Sequence, residues 1–267
     1  PKTPKPLANE ITYNIKSMES IVLIIAAFLT SALSAIIGMG GGITLLGIMA
    51  IIMPTGYLVV AYHGVIQLVS NVTRTTVYRQ HVSKPIINRF LIGLLPGLLL
   101  SVVIIYGATT FFNAASAADL KIDFLKPAIG VYIIWFLFLR KKKKAISKES
   151  YKWMGVVAGL ATVFIGAMGP LIAPLFINDR LKKESIIATK AACQAAGHLG
   201  KVPIFFLFFN VSYIEDWRVL LPLIISVYVG TKIGKLLLGK LPEILFQNLF
   251  KSVLTIIAIR LILVQVW

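Results

Sequence analysis

Two sets of polar residues recur at the same spacing inside apolar stretches of this 267-residue chain. The first is His63, Gln67, Asn71 and Arg74, and the second is Lys190, Gln194, His198 and Lys201. Each member of the first set finds its counterpart at a constant offset of 127 positions. The spacing i, i+4, i+8, i+11 lines each quartet along one face of an α-helix. Cations and amides inside a membrane helix are costly unless they face a cavity or a ligand. Both quartets carry positive charge and neither contains a carboxylate. Such a set suits an anion: ammonium and guanidinium groups supply charge, and amides and imidazoles supply directed hydrogen bonds.

The members of each quartet differ in depth. Gln67 and Gln194 lie well inside their helices. Arg74 and Lys201 are equivalent, and each lies two or three turns from its helix end, so snorkelling to the headgroups competes with a site role. His63 and Lys190 lie near the opposite ends and are expected at a membrane interface. His198 is a proton-carrier candidate by the near-neutral titration of imidazole, with a neutral hydrogen-bond donor as the alternative.

Glycine-rich breaks accompany the stripes. Gly38-Met39-Gly40-Gly41-Gly42 interrupts one apolar segment, and Gly166-Ala167-Met168-Gly169-Pro170 interrupts another. Non-helical backbone at membrane depth persists only where it is buried in protein or lines a cavity. Where a helix restarts, its free N–H groups and positive dipole end attract an anion. Gly41, Gly42, Gly169 and Pro170 are the candidate contacts at these restarts, with proline suited to a first helical turn. Close helix packing through small residues is the competing explanation.

Several chemistries are excluded by what is missing. The ten acidic residues, from Glu10 to Glu243, fall in the tail, in loops or at helix ends. Cation pathways and proton relays place Asp or Glu inside the membrane, so a metal or organic-cation carrier does not fit. No phosphate-binding loop, His-x-x-x-His pair or nucleophile elbow occurs, and Cys193 is the lone cysteine. No enzyme activity, cofactor or metal site is expected. The net charge of +17 does not point to nucleic acid. It reflects loop cations such as Arg140-Lys141-Lys142-Lys143-Lys144, placed as the positive-inside rule wants them.

These residues need membrane helices to hold them. Hydrophobic residues make up 58% of the chain, charged residues only 14%, and mean hydropathy is +0.87. Soluble domains carry roughly 25% charged residues. The apolar runs are continuous rather than alternating, so the fold class is an all-α integral membrane protein and not a β-barrel. A polar tail over 1–19 precedes a first membrane repeat over 20–139. A basic cytoplasmic loop over 140–152 then leads to a second repeat over 153–267. About eight segments are predicted, over 20–53, 56–81, 86–106, 120–139, 153–178, 184–209, 216–238 and 242–266. The first is read as a retained span, not a signal peptide.

Each repeat holds four segments, with the glycine break in segments 1 and 5. The shared register extends to Leu33 and Leu160, Gly42 and Gly169, and Ala61 and Ala188. If every segment crosses once, loop and flank cations divide 14 against 8. If segments 1 and 5 are hairpins, they divide 16 against 6, and Glu215 and Asp216 lie outside. The positive-inside rule favours the second arrangement, which makes the repeats inverted.

The pattern resembles the sulfite exporter TauE/SafE family of membrane permeases. The likeness rests on Ile37-Gly38-Met39-Gly40-Gly41-Gly42, the duplicated architecture and the chain length. The family often has a proline five residues after the last glycine. Pro174 follows Gly169 at that distance, while Gly47 takes that place in the first half. Ala61-Tyr62-His63-Gly64 stands where the family often has Ala-x-Gly-Thr-Ser. The resemblance implies a multi-pass permease of the cytoplasmic (inner) membrane. Its cargo would be a sulfur-containing anion: sulfite, thiosulfate or an organosulfonate such as sulfoacetate. Export needs no carboxylate coupling, since a potential of about 100 mV favours exit of one negative charge by roughly 2.3 kcal/mol. The expected partners are the small anion and the lipid bilayer, with a homo-oligomer left open. A passive anion channel and a membrane scaffold without substrate are the competing classes.

Overall fold

A computed structural model describes residues 17–37, 40–120, 125–139, 149–169, 171, 172, 176, 181–237, 252 and 255–263. Every regular element among them is helical. The tail over 1–16, the lysine run and most of segment 8 lie outside the described residues.

Helix α1 covers Ser17–Ile37 and stops at the first glycine break. Gly40 takes φ +95°, a left-handed angle that costs glycine little. The chain turns helical again as α2, Gly41–Ile52. A Cβ on Gly41 would overlap the Thr30 carbonyl, so α2 starts folded back against α1. Extended backbone at Met53, followed by Pro54, ends α2. Helix α3, Gly56–Val77, carries the first polar stripe, and a 3₁₀ turn follows over Arg79–His81.

Helix α4, Lys84–Phe111, begins with Pro85 in its first turn. It runs longer than the predicted 86–106 at both ends. Helix α5, Leu125–Ile134, passes into a π-helical end over Trp135–Leu139. Helix α6, Ser150–Phe164, ends at the second break, where Gly166 takes φ +89°. Helical backbone resumes at Gly169, with Leu171 and Ile172 both donating to the Met168 carbonyl. Helix α7, Lys183–Phe209, carries the second stripe and closes on Asn210 in the left-handed region. Helix α8 is Trp217–Leu236, and α9 is the helical stretch over 255–263.

Four helices are long and apolar enough to cross a membrane: Met18–Ile36, Lys84–Phe111, Glu184–Phe209 and Trp217–Leu236. Helix α3 has the length but dilutes its apolar character with the polar stripe. Apolar side chains such as Leu95, Leu99 and Val103 point outward from α4, as lipid-facing positions do.

Packing respects the offset between the halves. At that offset α1 corresponds to α6, α3 to α7, α4 to α8 and α5 to α9. The largest contacts join α4 to α6 and α1 to α8, the same pairing with the halves exchanged. Gly93 rests on the Lys152 carbonyl and Gly97 on that of Val156, so α4 and α6 run parallel. Gly230 rests on Phe28 and Gly234 on Ala32, so α1 and α8 also run parallel. No side chain larger than hydrogen fits at these four points.

Helices α3 and α7 pack in the opposite sense. Tyr57 stacks on Phe209 at 5.7 Å, His63 meets His198 at 5.8 Å, and Ser83 N–H donates to Thr189 Oγ1 at 2.9 Å. Numbers rise along one helix as they fall along the other. The two stripe-bearing helices are therefore antiparallel neighbours at the centre of the molecule.

Candidate functional site

The antiparallel crossing of α3 and α7 brings the two stripes face to face. Between them lies a cavity of ≈ 20 Å³, room for about one water molecule. Helix α1 contributes Ser34. The start of α2 contributes Gly40, Gly42 and Ile43. Helix α3 contributes His63, Gln67 and Arg74, the second break Ala167 and Gly169, and α7 Lys190, Gln194 and His198.

Four pairs related by the offset line this space together: Gly40 with Ala167, Gly42 with Gly169, His63 with Lys190, and Gln67 with Gln194. The cavity thus lies where the two halves meet. Each break presses on the glutamine of its own half. A Cβ on Gly42 would stand 3.1 Å from Gln67 Oε1, and one on Gly169 would stand 2.6 Å from Gln194 Nε2. Glycine at these positions lets the amides reach the cavity wall.

The cations are inside the protein. Arg74 is 2% exposed, Lys190 2% and Lys201 0%. Snorkelling is ruled out for Arg74 and Lys201 in this arrangement. The expected interface positions of His63 and Lys190 are corrected as well: both are buried and both line the cavity. Distance from a helix end misjudged them, because the crossing of α3 and α7 places these positions under the neighbouring break. No Asp or Glu is among the buried polar residues described. The only ion pair among the described residues is Lys152 with Glu149 at the surface. Burying charge is expensive, so an anion between the halves would be stabilised by the surrounding cations.

Hydrogen bonding leaves groups available. Arg74 donates through one terminal nitrogen to Ser70 Oγ at 3.3 Å, while its Nε has no partner. His198 Nδ1 and Asn71 Oδ1 are also buried without partners. Buried polar atoms left this way call for an explanation, and a bound ligand is one. Lys201 Nζ donates to the Gly166 carbonyl at 3.1 Å, and its stem fills the space above Gly64.

Six of the ten predicted site residues line the cavity: Gly42, Gln67, Arg74, Gly169, Gln194 and His198. Three lie elsewhere. Gly41 packs against Thr30 and Ser34, Asn71 bonds the Gln67 carbonyl at 2.8 Å within α3, and Lys201 braces the second break. Pro170 lies outside the described residues, and a proline has no amide hydrogen to donate. Ser34, Gly40, Ile43 and Ala167 were not predicted. Gly40 and Ala167 had a legible signal in the shared offset, whereas Ser34 had none, since its counterpart is Ala161.

Among curated proteins and among solved structures, nothing matches this chain. A family model does match, that of the sulfite exporter TauE/SafE, over residues 23–261. That span takes in both breaks, both stripes and every residue that lines the cavity. This duplicated helical membrane protein, with a cationic cavity between its halves, belongs to the sulfite exporter TauE/SafE family of membrane transporters.

Proposed function

We propose that this chain is a secondary carrier that moves a small sulfur-containing anion out across the cytoplasmic membrane by alternating access. The observation that carries this reading is the composition of the cavity wall. Both halves supply cations and amides to it, and no carboxylate is buried among the described residues. Such a wall holds sulfite, thiosulfate or a sulfonate through charge and several directed N–H groups.

The repeats are inverted in this reading. Equivalent helices α3 and α7 run antiparallel, as a two-fold axis in the membrane plane requires. Helix α2 folds back on α1, so segment 1 is a hairpin that leaves on the side it entered. The basic loops then lie in the cytoplasm, with Asn113, Glu215 and Asp216 outside. A cavity with room for about one water has to widen before it takes a sulfur oxyanion. That favours a carrier, whose halves rock against each other around a central site, over an open pore.

The test is anion flux in proteoliposomes with an imposed potential, comparing the wild type with Arg74→Ala and Lys201→Ala. The expected result is potential-dependent sulfite or sulfoacetate flux that falls at least tenfold in both variants. Normal flux in both would remove these cations from the mechanism. Flux at channel rates without counterflow would replace the carrier with a passive pore.

A further inference from the structure

His63 joins the two breaks. Its Nε2 lies 2.8 Å from the Gly42 carbonyl oxygen, and its Nδ1 lies 3.1 Å from the Gly166 carbonyl oxygen. Gly42 lies in the first turn of α2 in the first half, and Gly166 lies two residues past the end of α6 in the second. Carbonyl oxygens only accept hydrogen bonds. A neutral imidazole has one N–H and one lone pair, so it satisfies one of these contacts and sets a lone pair against the other. An imidazolium donates to both. The ring is 1% exposed, and Lys201 Nζ already donates to the Gly166 carbonyl, so the ring nitrogen facing that oxygen is what a neutral ring leaves unsatisfied. The geometry around His63 is therefore that of a site for the protonated ring.

The charged and titratable groups around it explain when that proton would be held. Helix α7 presents Lys201, whose Nζ shares the Gly166 carbonyl, and His198, whose ring lies edge-on at 5.8 Å. It also presents Lys190 across the same cavity, and α3 itself presents Arg74. From α1 and α2 the wall is uncharged, with Ser34, Gly40, Gly42 and Ile43. On the outer side, Asp216 accepts from Tyr62 Oη at 2.5 Å. A proton on His63 adds positive charge to a wall that is already cationic. An anion in the cavity offsets that charge.

Resting on the anion-carrier reading above, we propose that His63 is a proton site linked to substrate. The ring takes one proton from solvent when the anion binds, and returns it when the anion leaves. The carrier then moves one proton with each anion. While both are bound, the doubly donating ring ties the Gly42 and Gly166 breaks together and holds the halves closed around the cargo. Once both have left, one tie lapses and the halves are free to separate.

Calorimetric titration of the full chain in detergent tests this. Thiosulfate and sulfoacetate are the probes, because neither takes up a proton of its own near neutral pH. Buffers are bis-tris, imidazole and Tris, which differ in ionisation heat and are not themselves sulfonates. The slope of binding heat against buffer heat counts protons. The expected slope is about one proton taken up per anion in the wild type, and His198→Gln, which alters the cavity wall and weakens binding, should keep that slope. In His63→Gln the slope falls to zero while binding persists within about tenfold, since the amide still donates to one carbonyl. A zero slope in the wild type, or uptake that survives in His63→Gln, overturns the proposal. Uptake lost in His198→Gln but kept in His63→Gln overturns it in favour of His198. Absence of any binding heat removes the anion-carrier reading itself, and this proposal with it.

Discussion

At the residue scale, charge and reach decide what each side chain does. Arg74 and Lys201 occupy equivalent positions but act differently in this arrangement. Arg74 lines the cavity with a free Nε, while Lys201 braces the Gly166 carbonyl. Arg74→Lys should therefore leave flux well below the wild type, because a point charge does not replace a planar fork of donors. Gly64→Ala should reproduce much of the Lys201→Ala defect, since a methyl there collides with the lysine stem. The two break glycines separate further. Gly169→Ala pushes a Cβ to 2.6 Å from Gln194 Nε2, and Gly42→Ala only to 3.1 Å from Gln67 Oε1. Anion affinity should drop more in Gly169→Ala, with thermal stability nearly unchanged in both, because each amide sits on a flexible stem. Equal affinities would show that the glutamines do not touch the substrate.

At the element scale, glycine lets backbones meet where lipid supplies no hydrophobic force between helices. Gly93, Gly97, Gly155 and Gly159 hold α4 against α6, and Gly230 and Gly234 hold α8 against α1. Gly93→Val forces a side chain into the Lys152 backbone. Overpacking of this kind costs about 1–3 kcal/mol, so the melting temperature in detergent should fall by several degrees or the folded yield should collapse. Gly107→Ala on the same helix meets nothing within 4 Å. It should match the wild type or gain up to about 1 kcal/mol from higher helix propensity. If the two variants melted alike, close packing through glycine would not be what joins α4 to α6.

At the scale of the whole molecule, the inverted arrangement proposed above implies a defined sidedness. Glu215→Cys should react with a membrane-impermeant maleimide added to intact cells, and Glu149→Cys only after permeabilisation. The wild type should stay unlabelled, because Cys193 is fully buried. Labelling of both from outside, or of Glu149→Cys alone, would reverse or break the inverted arrangement. The proposed rocking of one half against the other would expose the cavity between them to either side in turn.

Composition and periodicity were enough to predict a helical membrane protein, and the offset of 127 was enough to put the two polar stripes and the two glycine breaks in register. These properties are local or additive: hydropathy sums along a segment, and a repeat is visible wherever residues recur in register. The pairing of Gly42 with Gln67 and of Gly169 with Gln194 follows that register too. The burial of His63 and Lys190 was not legible, because depth along one helix says nothing about which neighbour covers it. Nor was the division of labour between Arg74 and Lys201, since the two halves match in sequence position yet differ in side-chain reach. Least visible of all was the bridge from His63 to carbonyls 21 and 103 residues away. Backbone oxygens carry no residue identity, so only the folding of α2 onto α1 and the crossing of α3 with α7 could bring them to one ring.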